Sequence, residues 1–474
     1  MATLVNPQST GQLVAGPELS TSRVVAIAAV AALGGFLFGF DTAVINGTVG
    51  ALQAQFTAGS WALGLTVSSA LLGSAAGAFW AGRLADRYGR TRTMMVASLF
   101  FTVSALGSGF AVSLWDLSLW RTLGGVAVGA ASVVAPAYIA EIAPAHLRGR
   151  LGALQQLAIV IGIFMALLAN YAIATTAGSA SKSLWLDVPA WRWMFWSELP
   201  AAMLYGLCAL IIPESPRHLV AKGREEEALW VLRGLVGDTA PQKVVEIRKS
   251  LRAQHIPRLA DLRGGRFGLL PVVWFGVLLA MLQQLVGINI IFYYSSVLWQ
   301  AVGFSEQDSL AITVFTSLIN IATTLIAIAC VDRLGRKPLL IAGSMGMALT
   351  LGTLAFLFGS APLNAAGQPV LQGGTGVAAL IAANLYVFFF GFSWGPVVWV
   401  LLGEMFPNRI RALALSLAAA LQWVANFAVT ASFPALQNAG LGLAYGLYTA
   451  AAVLSLVFTF FCIRETRGKE LEEM

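Results

Sequence analysis

The feature that most restricts the fold of this chain is a series of twelve apolar segments, each long enough to cross a lipid bilayer. A spanning helix needs about 20 mostly apolar residues, because lipid offers the backbone no hydrogen-bond partner. Only 11% of the 474 residues are charged, against about 25% in a soluble domain. The sequence therefore predicts an all-α membrane protein. Its spans are expected near residues 24–46, 61–82, 93–112, 116–139, 151–174, 191–213, 268–298, 309–331, 338–360, 376–403, 412–435 and 441–463.

A short charged motif occurs once in each half of the chain, DRYGR at 86–90 and DRLGR at 332–336. In each half a Glu and an Arg follow at the ends of later spans. This repetition indicates two pseudo-symmetric six-helix bundles, an architecture typical of carriers whose halves rock around a central site. The later pairs are Glu141 with Arg148 and Glu404 with Arg411. The predicted division is an N-terminal tail (1–23), a first bundle (24–213), an intracellular helical linker (214–266), a second bundle (267–463) and a C-terminal tail (464–474).

The positive charges predict the orientation of these spans. The termini and the loops after the even-numbered spans two to ten hold 26 of the 29 Lys and Arg residues, whereas the opposite face holds only Lys182 and Arg192. Because Lys and Arg accumulate on the cytoplasmic side, both termini are expected in the cytoplasm of a bacterial inner membrane. The net charge of +7 reflects this asymmetry and does not indicate nucleic-acid binding.

Amide side chains inside the predicted spans suggest a polar site within the membrane. Polar residues at this depth usually face the bundle interior or a water-filled cavity. Amides both donate and accept hydrogen bonds, which suits the hydroxyl groups of an uncharged polyol, although interhelical hydrogen bonding is an equal alternative for any single amide. Two tryptophans, Trp399 and Trp423, are candidates to stack on a sugar ring. The amides are Gln156, Gln283, Gln284, Asn289, Asn320, Gln422 and Asn426.

Further motifs accompany the repeated one, namely PESPR at 213–217 and QQLVGIN at 283–289. With the charged loops, they resemble the sugar porters of the major facilitator superfamily, and the chain is most similar to cyanobacterial-type glucose/proton symporters. The resemblance runs from about residue 24 to the C-terminus. One departure is RETRG at 464–468, where the family usually has Pro at the first position.

The resemblance implies roles for individual residues. The set that matches hexose-binding positions is Gln156, Gln283, Gln284, Asn289, Asn320, Trp399 and Gln422, with Phe38 and Trp423 as supporting apolar contacts. Ile163 stands where xylose transporters of the family carry a second glutamine, which favours a glucose-like substrate.

Paired charges at the helix ends predict a gate that latches the cytoplasmic side while the other side is open. Positive-inside topology alone explains the arginines but neither the paired acids nor the repetition. The resemblance adds Glu214 and Glu465 to this network. The predicted gate residues are Asp86, Arg87, Arg90, Glu141, Arg148, Glu214, Asp332, Arg333, Arg336, Glu404, Arg411 and Glu465.

Asp41 is the only acid in span one, and Arg121 is the only base inside span four. Burial favours the neutral carboxyl group while a nearby guanidinium favours the charged one, so an aspartate between the two can bind and release a proton. A static buried ion pair is the alternative. Proton-driven members of the family carry this pair, and Glu198 in span six is a second candidate for proton coupling.

These patterns predict a secondary active transporter that imports a hexose, D-glucose, together with a proton by alternating access. A facilitative uniporter without proton coupling and a non-transporting sugar sensor are the alternatives. An enzyme is disfavoured because no intramembrane His, Ser/His pair or metal-ligand cluster is present. The expected partners are a monosaccharide, a proton and the bilayer, without nucleic acid, metal or cofactor, and the protein is expected to be a monomer.

Overall fold

The structure, a computed structural model, is a bundle of helices with twelve membrane-length spans in the part of the chain that it describes. Most of the predicted N-terminal tail, part of the linker, most of the C-terminal tail, and the side chains of Arg148 and Asp332 lie outside that part. The described residues are 21–143, 148–253, 259–264, 268–364, 369–371, 373–407 and 409–465.

The first half contains eight helices in its described residues. They are α1 (Thr21–Val44), α2 (Val49–Gln55), α3 (Ser60–Tyr88), α4 (Arg90–Phe110), α5 (Leu114–Ile142), α6 (Arg148–Ala177), α7 (Ala190–Trp196) and α8 (Leu199–Ile211). Span one is α1 extended by a 3-10 turn, Ile45–Gly47, and α2 is a short helix beyond it. Spans two to five are α3 to α6, and span six is the interrupted pair α7 and α8.

Three short helices follow and then the last six spans. The linker contains α9 (Pro216–Ala221), α10 (Glu225–Val236) and α11 (Ala240–Ala253), with 3-10 turns at Gly237–Thr239 and Leu259–Leu262. The last six spans contain α12 (Pro271–Leu285), α13 (Ile288–Ala301), α14 (Glu306–Leu334), α15 (Arg336–Ser360), α16 (Gly374–Gly391), α17 (Trp394–Met405), α18 (Arg411–Ala439) and α19 (Leu441–Cys462). Span seven is α12 with α13, and span ten is α16 with α17.

The interruptions in spans six, seven and ten differ from the continuous helices that the apolar pattern predicts. In span seven, Gly287 has a φ of 83°, a left-handed conformation that ends α12 and that side-chain-bearing residues rarely adopt. In span six, Pro200 lies at the start of α8, where its missing N–H breaks no helical hydrogen bond. Hydropathy detects the length of a span but not a local turn inside it.

Small residues bring the spans of each half close together. Gly73 and Gly77 of α3 face the backbone of α5, and an added Cβ would lie 2.0 Å from the Thr122 carbonyl oxygen or 2.2 Å from that of Val126. Such contact without an intervening side chain is how helices pack in lipid, where no hydrophobic force drives them together. The two halves meet through α3 against α18 and α6 against α14.

One membrane face, here the termini face, carries both chain ends and the linker, and the two halves are joined by hydrogen bonds at the other, far face. Asn46 Nδ2 donates to the Phe292 carbonyl (3.0 Å) and to Ser295 Oγ (2.9 Å). Ser296 Oγ donates to the Asn46 carbonyl at 2.5 Å. All three polar side chains are buried, and we call this group the far-face clasp. The two halves are therefore in direct contact at the far face.

Candidate functional site

Four of the predicted sugar-binding amides form one hydrogen-bonded chain between spans seven and eleven. Gln422 Nε2 donates to Gln283 Oε1 at 2.5 Å, and Gln284 Nε2 donates to the same oxygen at 3.5 Å. Asn289 Nδ2 donates to Gln284 Oε1 at 2.5 Å. We call these four residues the amide chain. They do not point into lipid or into separate helix seams.

Gln283 is the central member of the amide chain, and its hydrogen-bonding capacity is fully used. Its Nε2 donates to the carbonyl oxygens of Trp394 (2.7 Å) and Gly395 (3.1 Å) at the start of α17. Because backbone carbonyls only accept, these bonds fix which end of the amide is nitrogen. Its oxygen accepts from two other amides, and the side chain is 2% exposed. Gln283 thus orients its neighbours more than it offers free groups to a ligand.

The break in span seven explains how consecutive amides reach one site. On a regular helix Gln283 and Gln284 point about 100° apart, so sequence reasoning required the interface to wrap around the helix. In the structure Gln283 forms hydrogen bonds with residues of α17 and α18. Gln284 accepts a hydrogen bond from Asn289 of α13, which lies on the other side of the break. The turn at Gly287 brings the last turn of α12 and the first turn of α13 to the same site.

The other predicted sugar residues lie on neighbouring spans without joining the amide chain through hydrogen bonds in the described part of the protein. Asn320 is buried beside Gly391, and Gln156 is half-buried on α6. Trp399 is 42% exposed despite its position inside span ten. Phe38 of span one packs on Trp423 of span eleven, with ring centroids 5.8 Å apart, so this aromatic pair crosses between the halves.

The first half contains a buried ion pair between spans one and four. Arg121 Nη1 donates to Asp41 Oδ1 at 3.0 Å and to the Asp41 carbonyl oxygen at 2.8 Å. Both side chains are only 2% exposed. Among the described residues, Asp41 Oδ2 and Arg121 Nε have no hydrogen-bond partner, so the pairing is one-sided. The pair therefore leaves one carboxylate oxygen able to take a proton.

Glu198 is the second buried acid of this region and begins α8 at the interruption of span six. It is 1% exposed, and its Oε1 has no partner in the part of the chain described. Among the described residues, Arg121 forms its ion pair with Asp41 and not with Glu198. The first half thus buries two acids, Asp41 and Glu198, of which Asp41 pairs with Arg121. The role of Glu198 as a second proton-coupling candidate stays a prediction.

At the termini face of the first half, Arg90 and Glu214 clamp the loop between spans two and three. Arg90 Nη2 pairs with Glu141 Oε1 at 2.9 Å, and the Arg90 backbone N–H donates to Glu214 Oε1, also at 2.9 Å. Gly89 has a φ of 106°, and an added Cβ would lie 2.1 Å from Glu214 Oε2. Asp86 also pairs with Arg90 but is largely exposed. The glycine of the motif is thus required by both its conformation and the nearby carboxylate.

The second half repeats this clamp with corresponding residues. Arg336 binds Glu404 through two hydrogen bonds, Nη2 to Oε1 at 2.7 Å and Nε to Oε2 at 3.1 Å. The Arg336 and Lys337 backbone N–H groups donate to the two oxygens of Glu465 at 3.1 and 3.0 Å. Gly335, with a φ of 91°, lies against Glu465 as Gly89 lies against Glu214. Each clamp lies within one half.

Three of the predicted gate residues take different positions. Arg87 and Arg333 are exposed beside the clamps, and Arg87 lies over the ring of Tyr88 at 5.2 Å. Arg411 Nε donates to the Phe406 carbonyl at 3.0 Å, and its buried Nη2 has no partner among the described residues. The clamps therefore use the second arginine of each DRxGR motif and not the first.

Sequence reasoning missed several functional candidates. The far-face clasp depends on Asn46, an amide inside span one that was not selected although it met the same criterion as the others. Tyr386 in span ten donates to the Val286 carbonyl at 2.8 Å, which no local pattern indicates. Gln155 is buried, and its amide has no partner in the described chain. A search for every amide within the spans finds the first and third of these, but not the tyrosine.

Comparison with known proteins identifies relatives along almost the whole chain. The family model "Sugar (and other) transporter" matches residues 27–474. A glucose transport protein of Synechocystis sp. is 58% identical over 99% of this chain and 100% of its own length. The D-xylose-proton symporter of Escherichia coli K12 is 39% identical, with 96% of each chain covered.

Solved structures give the same answer for the fold. The xylose transporter XylE from E. coli, in a partially occluded inward open conformation, matches with a TM-score of 0.82 and 37% identity, covering 95% of this chain and 100% of that one. Its inward open conformation matches with a TM-score of 0.80. The predicted all-α fold of twelve spans is therefore confirmed, as is the prediction that the protein is not an enzyme. The chain belongs to the sugar transporter family of the major facilitator superfamily, and it is a multi-pass inner-membrane sugar transporter.

Proposed function

We propose that this protein imports a hexose, D-glucose, together with one proton by alternating access between its two halves. The observation that carries the proton part is the one-sided, buried ion pair of Asp41 and Arg121. The sugar part rests on the amide chain, which offers uncharged donors and acceptors between two spans. The similarity to a glucose transport protein and to a D-xylose-proton symporter supports both parts.

The sugar binds by replacing hydrogen bonds within the amide chain. The Gln422–Gln283 bond opens, and hydroxyl groups of the sugar take its place on Gln422, Gln284 and Asn289. Gln283 stays attached to α17 and keeps its neighbours aligned. The indoles of Trp399 and Trp423 provide apolar faces for the ring, while Phe38, Gln156 and Asn320 contribute from the surrounding spans. Ile163 removes a polar group that a pentose site would use, which favours glucose.

The proton binds at Asp41. A proton on Oδ2, the oxygen without a partner, neutralises the carboxylate and weakens its attraction to Arg121. The equilibrium between conformations then shifts toward the packing of spans one and four that tolerates the neutral acid. Glu198, the second buried acid of this half, takes part in this redistribution. Sugar uptake follows the proton gradient because the outward-facing, protonated state binds sugar best.

The termini face is cytoplasmic, as the positive charges of its loops indicate. The far-face clasp joins the two halves on the opposite side, which supports an inward-facing state for the present conformation. The clamps at Arg90 and Arg336 hold helix ends together within each half, so that each half moves as a unit. The latch that closes the cytoplasmic side in the outward-facing state forms between these units, with Arg148 and Arg411 as its basic partners.

Reconstituted vesicles test this proposal. We expect the wild-type protein to accumulate labelled glucose against its gradient when a proton gradient is imposed, and to exchange glucose without one. The Asp41→Asn variant should exchange glucose but no longer accumulate it, because a neutral amide cannot bind and release a proton. Alkalinisation of a weakly buffered medium on adding sugar reports the coupled proton directly.

Each outcome is decisive. Accumulation by Asp41→Asn contradicts the assignment of the proton site, and wild-type uptake without alkalinisation identifies a uniporter. Binding without exchange identifies a sugar sensor. Competition by galactose, xylose, fructose and mannose ranks the substrates, and a stronger effect of xylose than of glucose contradicts the hexose assignment.

A further inference from the structure

The interrupted spans seven and ten exchange hydrogen bonds at their breaks. Gln283, in the last turn of α12, donates to the Trp394 and Gly395 carbonyls, where α17 begins. In the other direction, the Tyr386 hydroxyl of α16 donates to the Val286 carbonyl at 2.8 Å, where α12 ends. Each broken helix thus supplies a side chain to the backbone of the other.

The Val286 carbonyl needs this partner because the helix cannot provide one. In a continuous helix it would accept from the backbone N–H of Ile290, but that N–H donates to the Gly287 carbonyl at 3.1 Å. A buried carbonyl without a hydrogen-bond partner destabilises the folded protein. Tyr386 is fully buried, so its phenol takes the place that water would take at an exposed helix end.

A second tyrosine supports the same break by packing. The ring of Tyr448 on span twelve lies where a side chain at Gly287 would be, with ring carbon Cδ2 2.9 Å from an added Cβ. Its hydroxyl has no partner among the described residues, so Tyr448 acts here through its ring alone. Tyr386 supplies the hydrogen bond and Tyr448 the steric support.

The break sets the geometry of the amide chain. Gln283 and Gln284 lie just before it, Asn289 lies just after it, and the bond from Asn289 to Gln284 spans it at 2.5 Å. A change in the angle between α12 and α13 moves Asn289 relative to the two glutamines. The hydroxyl that fixes the Val286 carbonyl therefore fixes this angle.

We propose that Tyr386 is a positioning residue of the sugar site, whose hydroxyl holds the break in span seven and thereby sets the spacing of Gln284 and Asn289. The inference rests on the proposed role of the amide chain in binding hexose. Tyr386 itself need not touch the sugar. Its effect is expected in the affinity for sugar and in the choice among epimers, since both depend on where the amides lie.

The test compares Tyr386→Phe with Tyr445→Phe in the full-length protein. Both tyrosines are buried in the second half, but the Tyr445 hydroxyl has no partner in the described chain, so its removal breaks no known bond. Equilibrium exchange of labelled glucose in vesicles gives KM and maximal rate without proton coupling. We expect Tyr386→Phe to raise KM about fivefold, as for the loss of one neutral hydrogen bond, and to change the maximal rate less than about twofold.

A merely structural role for Tyr386 would lower the amount of folded carrier, and so the maximal rate, without changing KM. Two additional measurements separate the cases. The ratio of glucose to galactose affinity should change in Tyr386→Phe only, and hydrogen exchange of backbone amides in 286–292 should accelerate in that variant but not in Tyr445→Phe.

An unchanged KM and epimer ratio in Tyr386→Phe would overturn the inference, as would equal effects in both variants. Loss of folded protein in Tyr386→Phe alone would make the hydroxyl a folding requirement and overturn it as well. Failure of the proposed function is distinct from these outcomes, because it appears in the wild-type protein as absence of hexose exchange.

Discussion

The two halves of the molecule bury polar groups in opposite ways. The first half encloses charges, Asp41, Arg121 and Glu198, with unpaired oxygen atoms among the described contacts. The second half encloses a chain of neutral amides in which Gln283 has every donor and acceptor used. The energy of a buried charge changes strongly when one proton binds or leaves. A network of neutral groups whose hydrogen bonds are all made instead discriminates between ligands by their shape. This contrast matches the proposed division into a proton-binding half and a sugar-binding half.

At the termini face, in contrast, the two halves have the same arrangement of residues. Their termini-face clamps, around Arg90 and Arg336, share an arginine–glutamate pair, a left-handed glycine and a second glutamate that accepts from backbone N–H groups. Both halves thus contain the same type of clamp at this face. The difference between buried charges and buried amides lies in the middle of the membrane, where the ligands are proposed to bind.

The strongest test of the contrast removes Arg121. We expect Arg121→Gln to destabilise the protein by about 3–5 kcal/mol, because the buried Asp41 loses the arginine with which it pairs. The measurement is the midpoint of thermal unfolding in detergent. The double variant Asp41→Asn with Arg121→Gln should recover most of the loss, since it leaves no unpaired aspartate. A double variant no more stable than Arg121→Gln would show that the charge of Asp41 is not the cause.

A smaller effect is expected in the neutral half. Gln422→Ala removes one donor to Gln283 and one group for the sugar, so we expect glucose to bind about five- to tenfold more weakly, which corresponds to about 1 kcal/mol. Titration of the purified protein by tryptophan fluorescence measures Kd. The unfolding midpoint should change far less than in Arg121→Gln. If the two variants lose equal stability, the contrast between charged and neutral halves does not hold.

The smallest effect concerns His218 at the clamp of the first half. Burial lowers the pKa of His218, partly opposed by the Glu214 carboxylate, and its Nδ1 lies 3.3 Å from Arg90 Nη1. Arg90 and Lys222 lower the pKa further, while Asp86 raises it. Below the unfolded pKa of about 6.5 the unfolded chain binds more protons than the folded one, so folding stability falls as the pH falls.

His218→Gln keeps an acceptor for Arg90 but does not titrate. Between pH 7.5 and 5.5 the wild-type unfolding midpoint should therefore fall by about 1–2 °C more than that of the variant. Equal pH dependence of wild type and variant would exclude His218 as a contributor.

The sequence predicts the spans and the residue types of the site, because both depend on local composition. Each of the twelve apolar segments corresponds to one span, with ends displaced by a few residues, as in span seven, predicted at 268–298 and found at Pro271–Ala301. The polar residues inside the spans also stand out, since lipid makes each of them costly. Gln283, Gln284, Asn289 and Gln422 were selected on that basis and lie in one network.

What the sequence does not predict depends on contacts between distant spans. The hydrogen bond from Tyr386 to Val286 joins residues of spans ten and seven, and neither residue is unusual in its own segment. Likewise, the clamps use Arg90 and Arg336, which begin the helices after the glycine turns, and not Arg87 and Arg333, which lie in the last turn of the helices before them.

The saturation of Gln283 has a consequence for the return step of the transport cycle. After releasing its substrate, a carrier must return to the outward-facing state without substrate. Buried amide groups that lack hydrogen-bond partners would oppose this conformational change. In this structure the members of the amide chain form hydrogen bonds with one another. Under the proposed mechanism, Gln283 is therefore expected to lower the energetic cost of the return step as well as to orient the sugar-binding amides.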